Sequence, residues 1–213
     1  MKITFLKISA AALLVSCLTI VGCKKDAAPE TPVTLDSSKV TSQYNPSLDL
    51  SNYSTVAVSD SVFSLNDTSA VAERTSADAA YIKAFKDSLS SRGFSVVSIN
   101  AHPDLLLNVT KISATSTGKI DSTSYWNRYA SLYNPSLYGF TNASYTNNFT
   151  TYNPVNTGVL SFELLDLKDV SLLNQVSIIW NGQVSGKAMY EEASLAPAVV
   201  GVLLHNSPFK RTP

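Results

Sequence analysis

For residues 51–213 the sequence predicts an α+β fold, a mixed or largely antiparallel sheet of about five strands packed against two helices. Three observations carry that expectation. Short β-branched or alternating runs at 52–58, 94–99, 105–112, 159–167 and 175–184 read as strands. An amphipathic stretch of about four turns, capped by Thr75 or Ser76 and with Arg92 in its last turn, and a mostly apolar one from about Ala193 to His205 read as helices. Val176, Ile178, Trp180 and Val184 alternate with polar neighbours, the pattern of a half-buried antiparallel strand that places all four on one face.

The first 22 residues precede that domain and read as an export signal. Lys2 and Lys7 give a positive start, and Ile8 to Val21 is an apolar run shorter than a membrane span. It ends in Ile20-Val21-Gly22-Cys23, the pattern of a bacterial lipobox, in which the cysteine thiol takes a diacylglycerol group and becomes the new N-terminus. Cys17 lies in the apolar run and leaves with it, so the processed chain keeps one cysteine and has no disulfide. Lys24-Lys25-Asp26 lacks an aspartate directly after Cys23, which favours sorting to the outer membrane; the sequence leaves open whether the domain faces the periplasm or the cell surface. Residues 23–50, with Pro29, Pro32 and Pro46 and no apolar period, read as a flexible tether from the acylated cysteine.

Composition narrows the function classes. The chain of 213 residues has 16 basic and 16 acidic side chains; removing Lys2 and Lys7 leaves 14 against 16. A neutral to mildly acidic chain lacks the basic surplus that nucleic acid requires, so no nucleic-acid partner is expected. Only 15% of residues are charged while 45% are apolar, so this is not a disordered polyelectrolyte.

Within the domain, 52–58 is the opening strand, and the polar stretch to Ser69 continues it or loops out. Thr75 or Ser76 caps the first helix with Asp78 in its first turn; Ile82, Phe85 and Leu89 form its apolar face, and Gly93 follows its end. Leu105, Leu107 and Val109 share a face of the third strand. Pro197 is tolerated in the first turn of the closing helix.

Residues 122–158 differ in kind. They hold six of the ten tyrosines and a single charged residue, Arg128, and read as an aromatic insertion between strands. Rings with little charge suit stacking on sugars or docking against protein. Tyr125, Trp126, Tyr129, Tyr133, Tyr138, Tyr145 and Tyr152 are therefore the candidate binding surface, unless they cap a sheet face as core.

Catalytic and metal-binding patterns are sparse. The two histidines, His102 and His205, sit at a turn and near a helix end, and Asp104 and Asp166 flank strands. No His-Glu-x-x-His, paired cysteines, glycine-rich phosphate loop or Gly-x-Ser-x-Gly is present, so neither a cofactor nor a metal is expected.

The order of motifs resembles a family. Tyr53-Ser54-Thr55-Val56-Ala57-Val58, Ser91-Arg92-Gly93-Phe94, His102-Pro103-Asp104-Leu105, Leu164-Leu165-Asp166-Leu167 and Ile179-Trp180-Asn181-Gly182 are similar to those of the bacterial lipoprotein family catalogued as domain of unknown function 4136. The family pattern usually carries Arg or Lys where this chain has Asn181. The resemblance implies an α+β envelope domain with no catalytic residues to carry over. The expected function is thus an outer-membrane-anchored lipoprotein, a non-enzymatic envelope module that binds a protein or supports an assembly through the aromatic insertion. Carbohydrate binding is the alternative, and an envelope hydrolase a more distant one.

Overall fold

The computed structural model describes residues 33–45, 47–65, 70–113, 119–120, 122–147, 155–205 and 207–209. The signal segment, Cys23 and Tyr152 lie outside the described residues. The strands are β1 (Val40–Tyr44), β2 (Thr55–Val58), β3 (Val62–Leu65), β4 (Ala70–Glu73), β5 (Ser95–Val96), β6 (Leu105–Ile112), β7 (Lys119–Ile120), β8 (Ser144–Asn147), β9 (Val155–Asn156), β10 (Val159–Asp166) and β11 (Gln175–Ser185). The helices are α1 (Ser76–Ser91), α2 (Ser122–Leu132), α3 (Val170–Leu173), α4 (Lys187–Tyr190) and α5 (Ala196–His205).

Nine strands form one mixed sheet, and β7 pairs with β9 in a separate ribbon. The main path runs β1-β11-β10-β6-β2-β5. Neighbours from β1 to β6 are antiparallel, whereas β2 is parallel to both β6 and β5. β3 lies parallel to the far end of β6 and carries β4 on its outer side, and β8 joins β11. The α+β class therefore holds, but about five strands and two helices is an undercount: the described residues contain a nine-stranded mixed sheet and five helices. The strands missed are two to five residues long, too short to display a period.

Two further expectations change. Residues 40–44, read as tether, form β1 and pair with Val184 through Trp180 of β11, and Val40 and Leu50 are buried. The expected single apolar face of β11 is also divided. Leu164 pairs with Trp180 but Leu165 pairs with Ile178, so Ile179 is an extra residue that flips the alternation. Val176 and Ile178 consequently face one layer, while Trp180 and Val184 face the other.

The longer elements follow their sequence signals. In α1, Asp78 N donates to Thr75 Oγ1 (3.1 Å) and Thr75 N to Asp78 Oδ2 (2.8 Å), a reciprocal capping box. Gly93 takes φ 86°, the left-handed region in which a glycine is least costly, just past the helix. α1 and α5 cover one face of the sheet through Tyr81, Phe85 and Leu203, packed with Phe162 and Trp180. The opposite face carries Leu106, Leu165, Val176 and Ile178 and, beside them, the rings of α2.

A buried tyrosine layer and a candidate ligand cleft

Tyr125, Tyr129 and Tyr133 recur every four residues, which lines them along one side of α2 and its C-terminal extension. That side faces the sheet. Tyr125 and Tyr129 are 0% exposed and Tyr133 is 2% exposed. Ring centroids of Tyr129 lie 4.9 Å from Tyr133 and 5.2 Å from Tyr145, and Phe63 meets Tyr133 edge-on at 4.6 Å. The candidate binding surface is thus largely core: three of its rings are buried, and Trp126, Tyr138 and Tyr145 are half-buried.

Burying tyrosines obliges their hydroxyls to find partners. Tyr133 donates to Val109 O (2.6 Å), Tyr145 to Tyr133 O, and Tyr125 to Glu163 Oε1 (3.1 Å). Asn108 Nδ2 donates to both Tyr129 (3.1 Å) and Tyr138 (3.3 Å). Burial raises the hydroxyl pKa of Tyr129 and Tyr133 well above 10 and that of Tyr138 to about 12, so all three stay neutral.

Glu163 lies at the centre of this layer and is 0% exposed. Ser161 Oγ donates to it at 2.5 Å, Thr110 Oγ1 at 3.3 Å and Asn181 Nδ2 at 3.3 Å. Asn181 also donates to Ser161 Oγ (3.0 Å) and Phe162 O (3.1 Å). Asn181 therefore points inward and satisfies the strand beside it. Burial raises the Glu163 pKa to about 7, opposed by the hydrogen bonds from Ser161, Tyr125 and Thr110.

Of the remaining polar candidates, Asp104 and Asp166 stand at the paired ends of β6 and β10 beside Tyr53, where Leu167 N donates to Asp104 O (2.9 Å). Asp104 Oδ2 accepts from Ser54 N (2.6 Å) and Thr55 N (3.0 Å), fastening the start of β2 to that of β6. Asp166 Oδ2 accepts from Tyr53 OH (2.7 Å). His102 is exposed on a left-handed turn, φ 52°. Among the described residues no group of three or more His, Cys, Asp or Glu is placed to hold a metal.

A cleft of about 540 Å³ opens between the C-terminal ends of β2 and β5 and the short turn Pro135–Tyr138. Phe63, Leu106 and Ile99 give it apolar walls, and Leu132, Tyr133 and Leu137 close the side below α2. Its rim carries an ion pair, Lys86 Nζ to Asp60 Oδ1 at 2.6 Å, joining α1 to the β2–β3 turn. Sequence reading missed this cleft, because its residues come from five separate segments whose proximity only the sheet topology creates. The aromatic segment does take part, as one wall of the cleft.

Residues 40–209 match the sequence pattern of the family described as a domain of unknown function, DUF4136. The chain belongs to the DUF4136 family. A crystal structure of a DUF4136 family protein from Bacteroides thetaiotaomicron is similar to this chain at a TM-score of 0.64 and 16% sequence identity, covering 80% of this chain and 95% of that one. At that identity the likeness concerns the fold. No curated protein matches the chain. Among the described residues of this DUF4136 domain no helix is long and apolar enough to cross a membrane.

Proposed function

We propose that this DUF4136 protein is a lipoprotein anchored to the outer membrane through Cys23, and that its domain is a non-enzymatic envelope module that binds its ligand in the cleft between β5 and the Pro135–Tyr138 turn. The cleft is the observation that carries the binding reading: a concave site that combines apolar walls with polar groups is the form that ligand sites take. Its principal charges are already paired with each other, and its tyrosines are held neutral, which suits recognition rather than proton transfer. The anchor is supported by the sequence Ile20-Val21-Gly22-Cys23 behind an apolar run.

Two experiments test the two halves. Labelled palmitate is expected in the wild-type chain and absent from Cys23→Ala; equal labelling removes the anchor. For the cleft, crosslinking in intact envelopes is compared between the wild type and Ser98→Trp, which fills the cleft from its exposed edge. Crosslinked species are expected to disappear in the variant, and an unchanged set would exclude the cleft as the binding site.

A further inference from the structure

The cleft is lined by two kinds of residue that come from different segments. Ser59, Asp60 and Ser61 of the β2–β3 turn, with Lys86 of α1 and Ser98 after β5, bring its polar groups. Phe63 and the 132–138 segment bring rings and aliphatic side chains, and Phe63, Leu132 and Tyr138 are only half-buried, so part of each stays open. A volume of about 540 Å³ admits a ligand of about two pyranose rings.

The polar groups keep free capacity of both kinds. Ser59 Oγ donates to Asn108 Oδ1 (2.8 Å), so its proton is committed and its oxygen is left to accept. Asn108 is fully buried and is itself fixed by its bonds to Tyr129 and Tyr138, which sets that polarity. Ser98 Oγ accepts from Asn100 N (3.3 Å) and keeps its hydrogen to donate. Asp60 uses one carboxylate oxygen and Lys86 one N–H in their ion pair, and the two side chains are 71% and 35% exposed. Ser61 is exposed, and no described residue holds its hydroxyl.

This balance selects among ligands. An anion needs donors in excess of acceptors, and here the one cation, Lys86, is neutralised by Asp60. A wholly apolar ligand would desolvate Ser59, Ser61, Asp60 and Lys86 and return no hydrogen bond. A sugar hydroxyl donates one hydrogen bond and accepts others, so a set of them meets acceptors and donors alike, while the C–H face of the ring packs on aromatic and aliphatic walls.

Resting on the ligand cleft proposed for this domain, we infer that the cleft receives a neutral saccharide, with its hydroxyls on Ser59, Asp60, Ser61 and Lys86 and a ring face against Phe63 and Tyr138. The test applies the full chain to an array of neutral, sialylated and sulfated oligosaccharides, then titrates the strongest binder and its monodeoxy analogues in solution by calorimetry. A neutral saccharide is expected to bind best, and at least one monodeoxy analogue to bind at least tenfold more weakly. Asp60→Ala, at an exposed side chain, is expected to weaken the saccharide at least fivefold; an anion would instead gain from the Lys86 it releases. Ser98→Trp is expected to abolish binding. A preference for sialylated or sulfated members, or binding unchanged by Ser98→Trp, overturns the saccharide inference. Equal affinity for every monodeoxy analogue overturns it without depending on any variant folding. An array that retains nothing overturns it too, and the envelope crosslinks then separate the two levels. If Ser98→Trp still removes them, the cleft binds a ligand of another class; if it leaves them unchanged, the cleft is no binding site.

Discussion

The indole of Trp180 lies over Gly182, two residues along the same strand, so closely that a Cβ on the glycine would sit 2.4 Å from Cη2 of the ring. Trp180 is fully buried between Phe85 and Phe209 and has no room to swing aside. Gly182→Ala is therefore expected to destabilise the domain by about 1–3 kcal/mol through overpacking. Thermal unfolding of Gly182→Ala, Trp180→Phe and the double variant checks the cause. The smaller ring relieves the clash, so the double variant loses less than the sum of the singles, and strict additivity would refute the contact.

Glu163 makes stability depend on pH. Its folded pKa is raised from 4.5 to about 7 by burial, so between those values the folded chain holds a proton that the unfolded chain releases. Stability then falls as pH rises from 4.5 to 7, by up to about 3 kcal/mol, and levels off above. Urea unfolding at pH 4.5 and pH 8 is expected to show this loss in the wild type and not in Glu163→Gln, which is the more stable of the two at pH 8. The same slope in both proteins would assign the effect to another group.

The tyrosine layer behaves as core. Tyr129→Ala is expected to cost about 3–5 kcal/mol, the range of large buried aromatic truncations. Tyr129→Phe keeps the ring and leaves Asn108 short of one acceptor, costing about 1 kcal/mol. Denaturant midpoints distinguish this from a surface role, for which both variants stay within about 0.5 kcal/mol of the wild type.

Lys111 neutralises a buried carboxylate. Its Nζ lies 3.1 Å from Asp78, which is 0% exposed at the start of α1, and 2.9 Å from Glu73. Lys111→Met leaves Asp78 charged without its cation, for an expected loss of about 3–5 kcal/mol. Adding Asp78→Asn to Lys111→Met is expected to recover part of it in the same unfolding assay.

The long elements were legible because their patterns are local. The capping box at Thr75 and Asp78, the face of Ile82, Phe85 and Leu89, and the runs that became β6, β10 and β11 needed no knowledge of their partners. The short elements were not: β1, β3, β4 and β8 take their form from backbone pairing to their neighbours, and their side chains carry no period of their own. The tyrosines misled because low charge and many rings describe a binding loop and a sealed layer equally well. The spacing of four residues between Tyr125, Tyr129 and Tyr133 was the available signal that they share one side of a helix. Ile179 shows a different obstacle, since one extra residue inverts the alternation and nothing in its side chain announces it.

β1 has a mechanical consequence. It is the first strand of the domain, and a pull transmitted from the chain before it arrives at Val40 and acts on the five paired residues opposite Val184 to Trp180. Force along the strand loads those bonds together in shear, whereas force across the sheet opens them one after another from Val40. Detachment would bare one edge of β11, offering its hydrogen bonds to another chain. The five pairs of β1 therefore set how readily that edge of β11 is exposed.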